Sequence, residues 1–204
     1  MGAGVPAPAP PTEGVPLSAS GRHQIFPGVA EYEIPTSLVE DLLGMAHLAA
    51  EPQGIASQAV NLSAAPPERA DVLDAYDEYL TTLSRDYGDF AGCRLTQREE
   101  LLLVRGSSGS VILEHYDQKW DRYRIASSVS YLNPGSYEGG SLFFPRLSIE
   151  YRPTAPSTVF FPSTIPYLHK TSSVKSGLRV TVRTFWNDLP PEEEHPRVRH
   201  WWAE

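Results

Sequence analysis

His115 and Asp117 stand two positions apart in LEHYDQKW (113–120), inside a run that reads as β-strand. Side chains at i and i+2 of a strand lie on one face, so this spacing aims an imidazole and a carboxylate at one point. The pair alone says little: with 6 His and 9 Asp in 204 residues, independent placement supplies an HxD about 0.3 times. A further ligand is offered by FFPSTIPYLHKTSSVKSGLRVTVRTFW (160–186), where His169 follows a Pro-punctuated turn in another β-like segment. Two imidazoles and one carboxylate suit ferrous iron and leave three coordination positions open. A structural zinc site would want four protein ligands, usually with cysteine, and Cys93 is the one cysteine of the chain.

Ten residues beyond His169, Arg179 opens a strand of alternating pattern. Arg179, Thr181, Arg183 and Phe185 share one face; Val180, Val182 and Thr184 share the other. An arginine beside a metal is a fixed, always-charged fork for a carboxylate. Its natural use is to hold an acidic co-substrate.

In this order, HYD at 115–117, YLN at 131–133, EGGSLFFP at 138–145 and LHKTSSVKSGLR at 168–179, closing with Trp186, resemble the Fe(II)/2-oxoglutarate-dependent dioxygenases, in particular their prolyl-hydroxylase-like branch. The resemblance covers about 100 to 187. It implies a double-stranded β-helix, a jelly-roll barrel with helices packed on one side. It implies Fe(II) on His115, Asp117 and His169, and Arg179 and the Tyr131 hydroxyl on the distal carboxylate of 2-oxoglutarate, with Leu142 lining that pocket. The implied chemistry is hydroxylation of an unactivated C–H bond with O2 as co-substrate and release of succinate and CO2; ascorbate is the implied reductant. Halogenating relatives have a small residue where Asp117 stands, so hydroxylation is the expected outcome. Many relatives carry a Tyr about ten residues before the first histidine, where this chain has Arg105. The interval from Arg179 to Trp186 is one residue longer than the family's, which a bulge would absorb.

For a substrate carboxylate the candidates are Arg105, Arg122, Arg124 and Arg183; Tyr116, Trp120, Tyr123 and Trp186 are candidates for the pocket wall. A chain this short leaves few residues for a large docking surface. The expected substrate is therefore small, a free amino acid or a biosynthetic intermediate. A peptidyl-proline hydroxylase is the alternative within the same chemistry. A cupin-type metalloenzyme that does not use 2-oxoglutarate, and a non-catalytic jelly-roll binding module, are the alternatives outside it.

The elements that must position these residues fall in two blocks. IPTSLVEDLLGMAHLAA (34–50) has the apolar stripe of an amphipathic helix, with Thr36 or Ser37 as cap. The stretch 51–67 reads as loop. Residues 68–90 form the strongest helix: Val72, Leu73, Tyr76, Tyr79, Leu80 and Leu83 recur at helical spacing and Gly88 closes it. From about 100 to 187 the chain is short β-like runs punctuated by Gly, Pro, Ser and Asn, which argues a sandwich or barrel. The fold expected is mainly β with packed helices: one catalytic unit over 21–187, with the helical part at about 34–95 and the jelly-roll core at about 100–187. Residues 1–20, rich in Pro, Ala and Gly, read as a flexible tail, and 188–204, with Trp201 and Trp202, as a charged one.

The totals set outer bounds. A net charge of −8 argues against tight binding of nucleic acid or an anionic membrane. A single cysteine excludes an intrachain disulfide and fits a reducing compartment; Cys93 reads as a small apolar side chain. No apolar run is long enough for a membrane span. MGAGVPAPAPPTEGVP lacks the basic start and apolar core of a signal peptide, and Pro6 stands where a myristoylation signal has Ser or Thr. The sequence reads as cytosolic, with the oligomeric state open.

Overall fold

The computed structural model describes residues 21–52 and 56–189. The expected tail at 1–20, and Trp201 and Trp202 with the rest of 190–204, lie outside the described residues. The elements begin with β1 (His23–Phe26), β2 (Val29–Glu33), α1 (Thr36–Gly44), β3 (Gln58–Asn61) and α2 (Ala70–Ala91). There follow β4 (Gln97–Arg98), β5 (Leu102–Gly106), β6 (Arg124–Tyr131), β7 (Tyr137–Gly139), β8 (Leu142–Phe144) and β9 (Ile149–Tyr151). The chain closes with β10 (Ser157–Pro162), β11 (Lys170–Thr171), β12 (Val174–Gly177) and β13 (Arg179–Asn187).

A major antiparallel sheet runs β1-β2-β10-β6-β13-β5-β3, with β4 also on β13. Opposite it lie two small sheets, β11-β8-β9 and β12-β7. The period-2 patterns of the central strands serve two cores at once. On one face of the major sheet Val180, Val182, Trp186, Phe160 and Ala126 join Leu42, Tyr76, Leu80 and Tyr87 of the helices. On the other, Tyr131, Val159 and Phe161 meet Leu142, Phe144 and Tyr151 of the facing sheet. This is the expected jelly roll with a helical layer on one side.

The serines of β6 follow the same alternation. Ser130 on the helix side bonds the Tyr76 hydroxyl at 2.6 Å and Thr158 Oγ1 at 2.7 Å. Ser128 accepts from Trp186 Nε1 at 3.0 Å. Ser127 points the other way, into the barrel, where it bonds Asp117. Leu80 is 1% exposed at the centre of the helix–sheet layer. Leu80→Ala is expected to lower unfolding stability by about 2–5 kcal/mol through lost burial and the cavity left behind. A shifted urea midpoint with an unchanged slope checks this.

Several elements differ from the sequence expectations. The helices do not simply precede the strands. β1 and β2 form a hairpin through Pro27-Gly28, with Gly28 at φ 76°, and β2 enters the sheet beside β10. β3 arises in the expected loop and pairs β5. The first helix stops at Gly44 and continues as a 3₁₀ turn at Ala46–Leu48; Pro35 precedes it and no side chain caps it. In α2 it is Gly92, at φ 67°, that ends the helix. Gly88 lies inside it, where a Cβ would stand 2.7 Å from the Cys93 carbonyl oxygen. The body continues through Leu189, which is buried and whose carbonyl accepts from Thr96 Oγ1 at 2.7 Å.

Candidate metal centre

The segment 107–116 is not a strand. It runs beside residues 169–174 and is tied to them at separate points. Ser110 and Ile112 carbonyls accept from Val174 and Thr171 amides, and His115 and His169 exchange backbone hydrogen bonds of 2.9 and 2.7 Å. That isolated antiparallel pair brings the two imidazoles to 4.4 Å between ring centroids. Asp117 then opens a 3₁₀ turn, Asp117–Lys119. The histidine and aspartate therefore converge through a bridge followed by a turn, and the shared strand face invoked from HxD is absent.

The ring orientations are set by the backbone. His115 Nδ1 lies 2.6 Å from the Leu113 carbonyl oxygen and His169 Nδ1 lies 3.0 Å from that of Tyr167. A carbonyl only accepts, so both Nδ1 atoms carry the proton and both Nε2 atoms face inward. His115 Nε2 is 3.3 Å from Asp117 Oδ1, and His169 Nε2 is 3.6 Å from Asp117 Oδ2. The ligand atoms of all three residues lie within 4.8 Å of one another. Ligand atoms at right angles about a metal, each about 2.1 Å from it, are about 3 Å apart. The cluster must contract, by up to about 1.8 Å between the most distant ligand atoms, to close around one. Histidines held by backbone carbonyls through the far nitrogen are the usual arrangement of metal ligands. The aspartate is oriented as well: Asp117 Oδ2 accepts from Ser127 Oγ at 2.6 Å, and Ser127 in turn contacts Ser163 Oγ at 2.7 Å.

Burial opposes charge on Asp117, but hydrogen bonds from His115 and Ser127 and the charges of both histidines outweigh it and hold the carboxyl below its ordinary value. Burial also opposes charge on His115, yet the Asp117 and Leu113 partners raise its pKa above the usual 6.5. His169 is lowered, chiefly by burial. When His115 is protonated on Nε2 a metal must displace that proton, and the raised pKa extends this competition to higher pH than for an ordinary imidazole. Metal affinity is expected to fall about tenfold for each pH unit below the raised His115 pKa. Competition titrations with a colorimetric chelator at a series of pH values check the slope.

The cluster lines a narrow cavity of about 50 Å³ between the major sheet and the small sheets facing it. Arg179, Tyr131 and Leu142 line it, each 2% exposed. Arg179 donates to the Gly140 carbonyl at 3.0 Å and has no acidic partner among the described residues. Gly140 permits that approach: a Cβ there would stand 3.1 Å from Arg179 Cδ, on a backbone at φ 64°. Burial raises the Tyr131 hydroxyl pKa, with the Arg179 charge opposing only in part, so it remains a neutral donor.

The other expected site residues divide. Arg183 lines the cavity and also the open mouth outside it, where Trp120, Arg124 and Phe185 lie. Trp120 packs against His115, 4.9 Å between centroids. Arg124 is engaged by Glu99 through two hydrogen bonds of 2.8 and 2.7 Å, its guanidinium 3.7 Å over the Phe185 ring. Arg105 is placed elsewhere. It pairs with Val180 in register, so its side chain goes to the helix side, to the Ala49 carbonyl and Glu51. Arg122 is exposed and bonds the Tyr123 hydroxyl at 2.7 Å, outside the cavity lining, as are Tyr123 and Tyr116. Trp186 faces the helical core. β13 runs in unbroken register from Arg179 to Trp186, and the one irregularity falls after Trp186. No bulge restores its parity, and Phe185 takes the inner face in its place. Sequence reading also passes over Ser127, whose signal is its inward parity on β6.

No protein-family model matches this chain, and no curated protein is significantly similar to it in sequence. Solved structures are similar in fold. A prolyl-4-hydroxylase from Pseudomonas putida superposes with TM-score 0.65 at 21% identity, over 80% of this chain and 94% of that one. An oxidoreductase of the 2OG-Fe(II) oxygenase family from Burkholderia pseudomallei gives TM-score 0.64 at 13% identity, over 78% and 84%. A prolyl hydroxylase from Trichoplax adhaerens, in complex with a hypoxia inducible factor oxygen degradation domain peptide fragment, gives 0.63 at 16%, over 79% and 84%.

Proposed function

We propose that the protein is an Fe(II)- and 2-oxoglutarate-dependent dioxygenase that hydroxylates an unactivated C–H bond of a small substrate. The observation that carries this reading is the meeting of two independent features in one cavity: a His115–Asp117–His169 cluster with inward-facing ligand atoms, and the buried Arg179 with no acidic partner among the described residues. The fold shared with 2OG-Fe(II) oxygenase structures supports it.

His115 Nε2, His169 Nε2 and an Asp117 oxygen would hold ferrous iron, with the Leu113 and Tyr167 carbonyls and Ser127 fixing their aim. Arg179 would pair with the distal carboxylate of 2-oxoglutarate, and Tyr131 would donate to it. Leu142, Val104 and Val129 exclude water around its carbon chain. When bound, iron, 2-oxoglutarate and O2 supply the oxidising power, and succinate and CO2 are released. What the chain would add is position: the His115–His169 bridge and the Asp117 turn would hold the metal, and Arg179 on β13 and Tyr131 on β6 would hold the co-substrate beside it. Ascorbate serves to keep the iron ferrous between turnovers. Residues 21–187 form the catalytic unit on this reading, in a cytosolic protein. Among the described residues no helix is long and apolar enough to cross a membrane.

A peptidyl-proline substrate is the second reading. Two of the similar structures are prolyl hydroxylases, one of them with a peptide. In this chain Trp120 and Leu113 at the mouth are 54% and 78% exposed. Succinate release with Fe(II), 2-oxoglutarate and ascorbate, screened over free amino acids and proline-containing peptides, separates the two. Turnover that is lost in His115→Ala, Asp117→Ala and His169→Ala supports the proposal; turnover unchanged in all three overturns it. An iron-binding protein indifferent to 2-oxoglutarate is the cupin-type enzyme, and one that binds neither is the binding module.

A further inference from the structure

Arg183 sits where the inner cavity opens into the mouth. Four residues along β13 from Arg179, it shares the inward face but stands about 13 Å further along the strand. Arg179 lines the inner cavity, whereas Arg183 lines both cavity and mouth. Its Nε is buried and has no hydrogen-bond partner, and no acid pairs with it among the described residues. The nearby acids are engaged: both Glu99 oxygens accept from Arg124, and Asp117 is held by Ser127 between the two histidines. A buried N–H left without an acceptor is costly, and for the Nε of this half-buried arginine that cost is relieved when a ligand supplies the acceptor.

Charge balance on the dioxygenase reading, on which this inference rests, gives the same answer. Iron, Arg179, Asp117 and the two carboxylates of 2-oxoglutarate sum to zero. Arg124 is offset by Glu99. At the mouth Glu114 lies 3.9 Å from Lys170, which leaves Lys119 and Arg183 as the positive charges there, and of the two Arg183 alone also lines the inner cavity. Beside it Phe185, Val129 and Ile112 offer apolar surface.

We infer that Arg183 anchors the primary substrate through a carboxylate, with a compact apolar body of that substrate lying between this anchor and the metal. Burial, together with the charges of Arg124 and Arg179, holds the Arg183 guanidinium below its ordinary pKa against the pull of Asp117, which is the electrostatic setting an entering anion relieves.

The test uses the Fe(II)- and 2-oxoglutarate-loaded protein without oxygen. The probes are monocarboxylic acids from acetate to L-proline, each beside its primary amide, titrated by calorimetry. At least one acid is expected to bind about tenfold tighter than its amide. Arg183→Gln is expected to abolish that preference while its 2-oxoglutarate affinity stays near wild type, and Arg183→Lys to retain part of it. Two results overturn the inference alone: no acid preferred over its amide by a wild-type protein that binds iron and 2-oxoglutarate, or a loss of 2-oxoglutarate affinity in Arg183→Gln as large as in Arg179→Gln. Failure of the wild-type protein to bind iron or 2-oxoglutarate is a different result and overturns the dioxygenase reading together with this one.

Discussion

Asp117→Ala is expected to lower Fe(II) affinity by at least about 100-fold and succinate release to below about 1% of wild type. Loss of a partner that merely orients a ligand costs about 10–100-fold in metal affinity, and loss of the ligand itself costs more. Asp117 supplies the one negative charge in the cluster, lies 3% exposed and touches both histidines. Without it two neutral imidazoles must hold a divalent cation in a buried cavity with Arg179 and Arg183 nearby. The substitution should leave the fold intact, because Ser127 keeps its contact with Ser163 and the His115–His169 backbone bridge does not involve the aspartate side chain. Iron retained after dialysis, the circular dichroism spectrum and succinate release are the measurements. A folded, iron-free, inactive variant is the expected result.

The second large effect belongs to Arg179→Ala, which is expected to raise the dissociation constant for 2-oxoglutarate about 100-fold and leave Fe(II) binding unchanged. Truncating one side of a buried charge pair costs about 2–5 kcal/mol, part of it from the carboxylate left without a partner. Arg179 is suited to such a pair. It is buried, oriented by the Gly140 carbonyl, and forms no ion pair of its own among the described residues. Lysine keeps the charge and loses the two-pronged geometry, so Arg179→Lys should fall between the two. Equal 2-oxoglutarate affinity in wild type and Arg179→Ala would assign the arginine to structure and favour the cupin-type reading.

Much of this was legible in the sequence for identifiable reasons. The alternation in RVTVRTFW separates Arg179 and Arg183 from Val180 and Val182, and the barrel and the helical layer impose that same division. Helix α2 declared itself through six apolar residues at helical spacing. The metal-capable trio was found through residue type and order, but the geometric argument for it failed in detail. A strand reading of 110–117 takes local apolar pattern as sufficient, whereas a strand also needs a partner along its length, and here partners exist only at separate points. Trp186 was misplaced because parity depends on whether a bulge intervenes, and register is a tertiary property. Arg105 was a candidate because it stands ten residues before His115, where many relatives carry Tyr, but its pairing with Val180 turns it to the helix side. The β1–β2 hairpin was not among the expected strands although Pro27-Gly28 separates its two short runs, and β3 offers only four residues whose strand state comes from β5 beside it.

Anaerobic titration of the Fe(II)-loaded protein with 2-oxoglutarate addresses the central claim most directly, because chelation of the metal by the co-substrate gives a weak visible charge-transfer band. The account predicts a saturable band, absent in Asp117→Ala and shifted to higher 2-oxoglutarate concentration in Arg179→Ala. A folded wild-type protein that binds iron and shows no band at any 2-oxoglutarate concentration would contradict it.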